Sequence, residues 1–194
     1  MAIFPLVDFF QMLYAMASYY RAEMIQPFQC LFESSLTMMP AQEKKWLTEA
    51  YAKYPYSQKA FEWVFNLHQE VNKYVHHFVM VQYDELLKKY ADSNITITVW
   101  SHPTWKMIHW FAANYNNTTQ YAKSYKAFVS CLQFCLPCPK CRAHLSGNLA
   151  DHPIDQFFAS NVKLFHWSYL LHERVNSQLK KPSKPWAEAT ASYF

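Results

Sequence analysis

Glycine is nearly absent from this chain, which has 194 residues and a single glycine, Gly147. P-loops and dinucleotide-binding turns need several glycines, because their backbone adopts positive φ angles or lies directly against phosphate groups. The sequence therefore excludes folds of the P-loop, Rossmann and protein-kinase types. It favours an all-helical protein.

The sequence also lacks a large excess of one kind of charge, and it lacks long apolar runs. The net charge of +4 is small and dispersed, which is not typical of a nucleic-acid-binding surface. No run of 18 apolar residues occurs, so we expect no membrane-spanning helix. Residues 1–21 are apolar but lack a basic leader, and we interpret them as an amphipathic core helix rather than a secretion signal. We expect no nucleic-acid or membrane partner and no secretion.

The chain has five cysteines, an odd number that does not form a complete disulfide framework. They are Cys30, Cys131, Cys135, Cys138 and Cys141. Four of them lie within eleven residues. In a chain without an export signal, that density indicates redox chemistry or metal binding.

Helical periodicity covers most of the sequence. The candidate helices are 5–21, 27–36, 41–54 and 57–90, followed by 103–115, 119–136, 138–149 and 161–179. Residues 91–99, between the two sets, include a β-branched run and predict an extended connector. The tail after Pro182 is rich in proline, serine and alanine, and we expect it to be less regular.

The two sets of helices resemble two copies of one unit. Residues 61–72 align with residues 165–176 at a constant offset. Cys30 aligns with Cys131, and Pro5 with Pro103, at slightly shorter offsets. A shared apolar stripe explains the matching Phe, Trp, Leu and Val, but not the His and Asn in the same columns. We therefore interpret the chain as an internal duplication.

The copies differ at the positions that carry chemistry. By this alignment, Val7 and Gln11 stand where the second copy has Trp105 and His109. Residues 36–40 stand where the second copy has its clustered cysteines. The first half is expected to keep the packing and to lack the site.

Cys138 and Cys141 form a Cys-Pro-Lys-Cys motif at the expected start of a helix. Two cysteines at this spacing can close a small disulfide ring, and a helix N-terminus stabilises a thiolate, so the pair is a candidate redox centre. A zinc half-site is the alternative, because Cys135 and His144 extend a three-residue repeat. Four ligands on one continuous helix would point around its axis, however, rather than toward a single ion.

Aromatic and histidine side chains recur one helical turn apart. Trp105 and His109 have this spacing, as do His172 and Asn176. An aromatic ring beside a histidine can form one wall of a flat pocket, and a His–Asn pair can hydrogen-bond a heteroaromatic edge. Beside a reactive cysteine pair, this pattern favours a planar cofactor in a helical bundle.

Residues 101–182 resemble the flavin-dependent sulfhydryl oxidases of the Erv/ALR family. Three motifs carry the resemblance in the family's order: residues 105–115, residues 137–141 and residues 167–182. The duplicated layout is similar to that of the baculovirus-type viral members. The resemblance implies an all-α fold, in which an Erv-type four-helix bundle with a short fifth helix packs on a degenerate helical copy of itself.

The resemblance also implies a division of the chain. It predicts a degenerate pseudo-domain over 1–91, a connector over 92–101, a catalytic FAD-binding domain over 102–182 and a tail over 183–194. The implied activity is FAD-dependent oxidation of protein dithiols to disulfides, with molecular oxygen reduced to hydrogen peroxide. We expect a homodimer, and a viral protein of the host cytoplasm or nucleus, or of the virion.

The family pattern assigns roles to individual residues. Substrate is expected to attack Cys138, while Cys141 lies against the flavin. The residues implied in FAD binding, besides Cys141, are Thr104, Trp105, His109, Tyr115, His172, Val175, Asn176 and Lys181. His102 and Glu173 depart from the family's usual residues, and Trp186 is a candidate for its C-terminal flavin-side tryptophan.

Two other classes of protein remain open from the sequence. One is a non-enzymatic helical interaction module that binds zinc through its cysteine cluster. The other is a thioredoxin-like oxidoreductase, which is less favoured because Cys138 does not follow a strand in a βαβ unit. Bound flavin separates the oxidase from the zinc module.

Overall fold

A computed structural model describes residues 3–75, 82–90 and 96–194, and this part of the chain contains helices and no strand. The prediction of an all-α fold is confirmed. The α-helices are α1 (Leu6–Ser18), α2 (Ile25–Met38), α3 (Ala41–Lys53), α4 (Ala60–Asn72), α5 (Tyr83–Tyr90), α6 (Ile97–Ala113), α7 (Thr119–Cys135), α8 (Pro139–Asp151), α9 (Asn161–Gln178) and α10 (Trp186–Ala191). Short 3-10 turns occupy Ala22–Met24 and Asp155–Phe157. Within the described ranges, no helix is both long and apolar enough to cross a bilayer.

The predicted single helix over 57–90 is wrong, because α4 ends at Asn72 and α5 begins at Tyr83. The end of α4 is tightened by bonds of the i to i−3 type, from Lys73 N to Glu70 O (3.2 Å) and from Tyr74 N to Val71 O (3.0 Å). Such bonds satisfy carbonyls that the helix leaves free at its end. Residues 76–81 of the predicted helix lie outside the described residues.

The predicted extended connector is wrong over residues 97–99, because α6 already begins at Ile97. Pro103 consequently lies inside α6 rather than at its first turn. Trp100 is buried in this added turn, and packing of this kind overrides a weak β-branched propensity. Residues 91–95 of the connector lie outside the described residues. In the tail, α10 is regular where we expected less order.

The two halves repeat one packing arrangement. In the first half α1 packs on α4 and α2 on α3, and in the second half α6 packs on α9 and α7 on α8. The indole nitrogen of Trp63 donates to Tyr54 O at 2.9 Å, and that of Trp167 donates to His152 O at 3.0 Å. Each acceptor directly follows the third helix of its half. The shared geometry supports an internal duplication.

The halves are joined along α2 with α7 and along α1 with α6. Phe4 packs edge-on against Trp110 with ring centroids 4.9 Å apart, and Lys106 Nζ forms an ion pair with Asp8 at 2.7 Å. Buried apolar side chains form one cluster through both halves. The first half is therefore part of the same core that supports the second.

A stacked ring pair occurs at the same place in each half. Phe10 stacks on His68 with centroids 4.4 Å apart, and Trp105 stacks on His172 at 3.9 Å with an interplanar angle of 5°. In each case Nδ1 of the α4 or α9 histidine hydrogen-bonds a side chain one turn further along α1 or α6. The partners are Tyr14 Oη for His68 and His109 Nε2 for His172, both at 3.0 Å.

By these contacts Phe10 and Tyr14, rather than Val7 and Gln11, are the counterparts of Trp105 and His109. The sequence alignment was anchored on prolines that are not equivalent: Pro5 precedes α1, whereas Pro103 lies within α6. The α6 helix has an additional turn before its proline, so the pairing shifts by nearly one turn.

Candidate redox site

The N-terminus of α8 carries the disulfide between Cys138 and Cys141, whose Cα atoms are 5.1 Å apart. Cys138 is the N-cap residue, and its Sγ accepts a hydrogen bond from the backbone N–H of Cys141 at 3.1 Å. Pro139 occupies the first helical position, where a missing N–H has no cost. The cysteine pair thus lies where free helical N–H groups and the helix dipole stabilise a thiolate.

Only one of the two cysteines lines a cavity. Cys141 lines a cavity of about 220 Å³ between α6, α7, α8 and α9, and Cys138 is absent from its wall. Among the predicted residues, the cavity wall includes Thr104, Trp105, His172, Val175, Asn176 and Lys181. The fold thus brings side chains from α6, from α9 and from the segment after α9 together with Cys141 of α8.

The cavity wall also includes residues that sequence reasoning did not select. Trp100, Ser101 and Ile108 contribute from α6, and His144 contributes from α8. His144 lies one turn after Cys141, and this i, i+3 spacing was the signal that could have placed it beside the site rather than in a zinc set. Trp100 and Ser101 were missed because they were assigned to the connector.

A second cavity of about 520 Å³ adjoins the first and shares His102, Trp105, His172 and Asn176 with it. His109 lines this second cavity and not the first. The stacked rings of Trp105 and His172 thus form a flat wall common to both. The larger volume falls in the range of about 300–1,000 Å³ that is typical of small-molecule sites.

A chain of hydrogen bonds orients the histidines at this wall. Ser168 Oγ donates to Phe165 O at 2.7 Å, so it accepts from His109 Nδ1 at 2.9 Å. His109 Nε2 then accepts from His172 Nδ1 at 3.0 Å. This chain leaves Nε2 of a neutral His172 as a hydrogen-bond acceptor.

Both histidines are held in the neutral form. Burial, with the nearby charges of His172 and Lys184, lowers the pKa of His109 to about 3. Burial is also the main cause that lowers the pKa of His172 to about 4, although the carboxylate of Glu173 opposes it. At neutral pH the wall therefore presents uncharged imidazoles.

Two of the residues considered from the sequence are not at either cavity. Tyr115 donates its hydroxyl to Phe158 O at 3.1 Å and lines neither one. Trp186 packs on Phe165 and on its α9 neighbours, and also lies outside both linings. Tyr193 is the C-terminal aromatic that meets the site, with its ring 5.9 Å from that of His109.

The residues at the two cavities fit FAD as a group. Trp105 and His172 provide a flat surface for an aromatic ring system, and Asn176 provides a hydrogen-bonding amide beside it. Lys181 places a positive charge at the wall, which suits a phosphate. Apolar side chains of α6, α7 and α8 complete the lining.

The remaining cysteines, Cys30, Cys131 and Cys135, are free thiols. No group of three or more His, Cys, Asp or Glu side chains in the described part of the chain is arranged to hold a metal ion. Cys131 and Cys135 are buried in α7, where burial raises the pKa of Cys131 to about 12 and that of Cys135 still further. These thiols are protonated at neutral pH.

The fold and the site define a helical redox protein, with a disulfide at a helix N-terminus beside an aromatic, histidine-lined cavity. Residues 102–193 match the Erv1 / Alr family. The resemblance derived from the three motifs is confirmed.

The similar proteins are viral. A protein of African swine fever virus (a Malawi tick isolate), named FAD-linked sulfhydryl oxidase, is 28% identical over 91 residues, which are 46% of this chain and 75% of that protein. A namesake from a Namibian warthog isolate is 26% identical over the same shares. A protein of Invertebrate iridescent virus 3 is 27% identical over 86 residues, 43% of this chain and 58% of its own length. No solved structure is significantly similar to this chain.

The family and the names of these relatives support a thiol oxidase function at modest identity. The similarity covers less than half of the chain.

Proposed function

We propose that this protein is an FAD-dependent thiol oxidase that forms disulfides in substrate dithiols and reduces oxygen to hydrogen peroxide. One observation carries the proposal: Cys141 of the disulfide lines the cavity of Trp105 and His172, while its partner Cys138 does not. This asymmetry gives the pair one sulfur for the substrate and one for the cofactor site.

The proposed reaction begins when a substrate thiolate attacks Cys138 Sγ. The Cys138–Cys141 bond breaks, and Cys141 leaves as a thiolate stabilised by the N-terminus of α8. The second substrate thiolate then attacks the substrate sulfur of the mixed disulfide and releases Cys138. The substrate has lost two electrons and two protons, and the cysteine pair has gained two electrons.

Residues of the second half would hold FAD at this point. Trp105 and His172 would contact its rings, Asn176 would hydrogen-bond it, and Lys181 would face a phosphate. The chemistry that FAD supplies when bound is the transfer of the two electrons from the cysteine pair to oxygen. Thr104 and Val175 would shape the cavity wall, and His109 would hold the orientation of His172.

The remaining expectations are part of the same proposal. We propose that residues 1–91 form a pseudo-domain and residues 102–182 the catalytic domain, and that protein dithiols are the substrates.

We also expect a homodimer. Its interface would be a further surface of the protein, because α1 and α2 already cover α6 and α7 within one chain. Light scattering at several concentrations tests this. We also propose a viral protein that acts in the host cytoplasm or nucleus, or in the virion; the support for its viral origin is that the relatives are viral proteins.

The test of the proposed function is an absorbance spectrum together with an oxygen-consumption assay. Purified protein is expected to absorb near about 450 nm and to oxidise dithiothreitol. Cys141→Ser should keep the bound flavin and lose at least about 100-fold in oxidation rate, because the electron path then lacks its sulfur. Cys30→Ser, outside the site, is the matched control and should retain activity. Colourless protein after supplementation with FAD would overturn the proposal and favour a helical interaction module.

A further inference from the structure

Tyr19 of the first half contacts α8, the helix whose N-terminus carries the redox disulfide. The guanidinium of Arg142 lies over the ring of Tyr19, 5.5 Å from its centroid, and the guanidinium of Arg21 lies 5.1 Å from the same centroid. Tyr19 directly follows α1, so the ring and Arg21 both belong to the degenerate half. The ring of a first-half aromatic thus contacts two cations, one from each half.

Arg142 links this cluster to the substrate cysteine. Its backbone N–H donates to Cys138 O at 3.0 Å, which places it one helical turn from the N-cap cysteine. Arg142 Nη1 also donates to Leu136 O at 2.8 Å, so the guanidinium is fixed beside the motif. Tyr19, in turn, fixes Arg21 through a hydrogen bond from Arg21 Nη2 to the phenol oxygen at 3.3 Å.

The charge around Cys138 is positive. Lys140 stands exposed between the two cysteines, and Arg21 is also exposed. In the two segments that contain these residues, 19–24 and 136–145, Glu23 is the one acidic residue, and the lysine and arginine side chains number three. The N-terminus of α8 adds the positive end of its dipole at the same place.

We infer that this cationic cluster, Arg21, Lys140 and Arg142, selects protein substrates whose dithiols are flanked by acidic residues. A complementary charge raises the rate of encounter and holds the peptide near Cys138. The inference rests on the proposed function and gives the degenerate half a role in substrate selection, through Arg21 and Tyr19. The occupant is an acidic peptide segment of another protein.

The experiment compares three dithiols with the full-length protein. Two are peptides of equal length with a Cys-x-x-Cys centre, flanked by Glu in one and by Lys in the other, and the third is uncharged dithiothreitol. At low ionic strength the Glu peptide is expected to have a kcat/KM about tenfold above the Lys peptide, since each exposed charge pair adds a modest amount. The difference should shrink toward parity at about 0.5 M salt, where exposed charges are screened.

Charge-changing variants test whether Arg21 contributes to the preference for the Glu peptide. Arg21→Gln is expected to lower the preference about two- to threefold, and Arg21→Glu to lower it further, mainly through KM, with dithiothreitol oxidation unchanged. Lys88→Glu makes the same change in charge on α5, and its preference should match that of the unmodified protein. Cysteine-free versions of both peptides, measured by fluorescence anisotropy, give an affinity difference that does not depend on flavin.

The outcomes separate the two proposals. If dithiothreitol is oxidised but the Glu and Lys peptides react equally, the inference fails and the oxidase proposal stands. A preference that survives unchanged in Arg21→Glu also overturns the inference. If no dithiol is oxidised by flavin-loaded protein, the proposed function itself is wrong.

Discussion

Trp63 and Trp167 are the residues at which the two halves agree most closely. Both are nearly fully buried, and both donate the indole N–H to the first carbonyl beyond the third helix of their half. A tryptophan is the aromatic that can fill this volume and also satisfy a carbonyl at a helix end. Both halves therefore contain a side chain that fixes where one helix ends against another.

Replacing either tryptophan by phenylalanine should destabilise the protein. Trp167→Phe and Trp63→Phe each leave a carbonyl without its donor, and each is expected to lower the free energy of unfolding by about 1–3 kcal/mol. Urea unfolding at pH 7 measures this. Trp186→Phe, at a side chain that is 36% exposed, is the control and should change stability by less than about 0.5 kcal/mol. Equal effects in all three would contradict the assigned role.

At the scale of elements, α5 explains why the first half has side chains where the second has a cavity. Tyr90 of α5 is buried and stacks on Tyr14 with centroids 5.7 Å apart. Tyr14 is the counterpart of His109, which lines the second cavity. In the first half, the place that corresponds to the second cavity is therefore filled by the rings of Tyr14 and Tyr90.

Tyr90→Ala tests this packing role. Loss of a buried aromatic side chain leaves a cavity, and we expect a decrease of about 3–5 kcal/mol in the free energy of unfolding. Flavin affinity should be unchanged when it is measured below the unfolding transition. Leu87→Ala, on the exposed face of the same helix, is the control and should have little effect. A loss below about 1 kcal/mol for Tyr90→Ala would show that α5 is dispensable to the core.

The whole molecule carries buried neutral histidines in both halves. Burial lowers the pKa of His68 to about 4, similar to that of His172, and the pKa of His109 to about 3. In the unfolded chain these groups bind protons below about pH 6.5. The unfolded state therefore binds more protons than the folded state between about pH 6.5 and 4, and stability falls as the pH falls through this window.

Acid lability is the expected consequence. Each of the three histidines should cost about 2 kcal/mol of stability between pH 7 and pH 5, because the unfolded form gains a proton that the fold excludes. His68→Gln should make the decline less steep by about this amount, which urea unfolding at several pH values measures. His166→Gln, at an exposed histidine, should leave the slope unchanged. A slope for His68→Gln equal to that of the unmodified protein would contradict the neutral assignment.

Local pattern sufficed for much of the fold and the site. The near absence of glycine and the helical periodicity predicted an all-α protein, and the Cys138–Cys141 spacing predicted a cysteine pair at a helix start. Errors arose where tertiary packing overrides propensity, as at Ile97, which is helical despite a β-branched run. The same error displaced the alignment of the two halves, because it set Pro103 at the start of α6.

The sequence by itself predicted the match of residues 102–193 to the Erv1 / Alr family and named the residues proposed to carry the chemistry, since the motifs depend on spacings of three and four residues along single helices. Only the tertiary structure decided that Cys141 and not Cys138 lines the cavity, that Tyr115 lies outside it, and that Tyr19 of the first half contacts Arg142 of α8. The physical reason is that these relations depend on how distant helices pack. Residues far apart in the chain meet only when the two halves share one core.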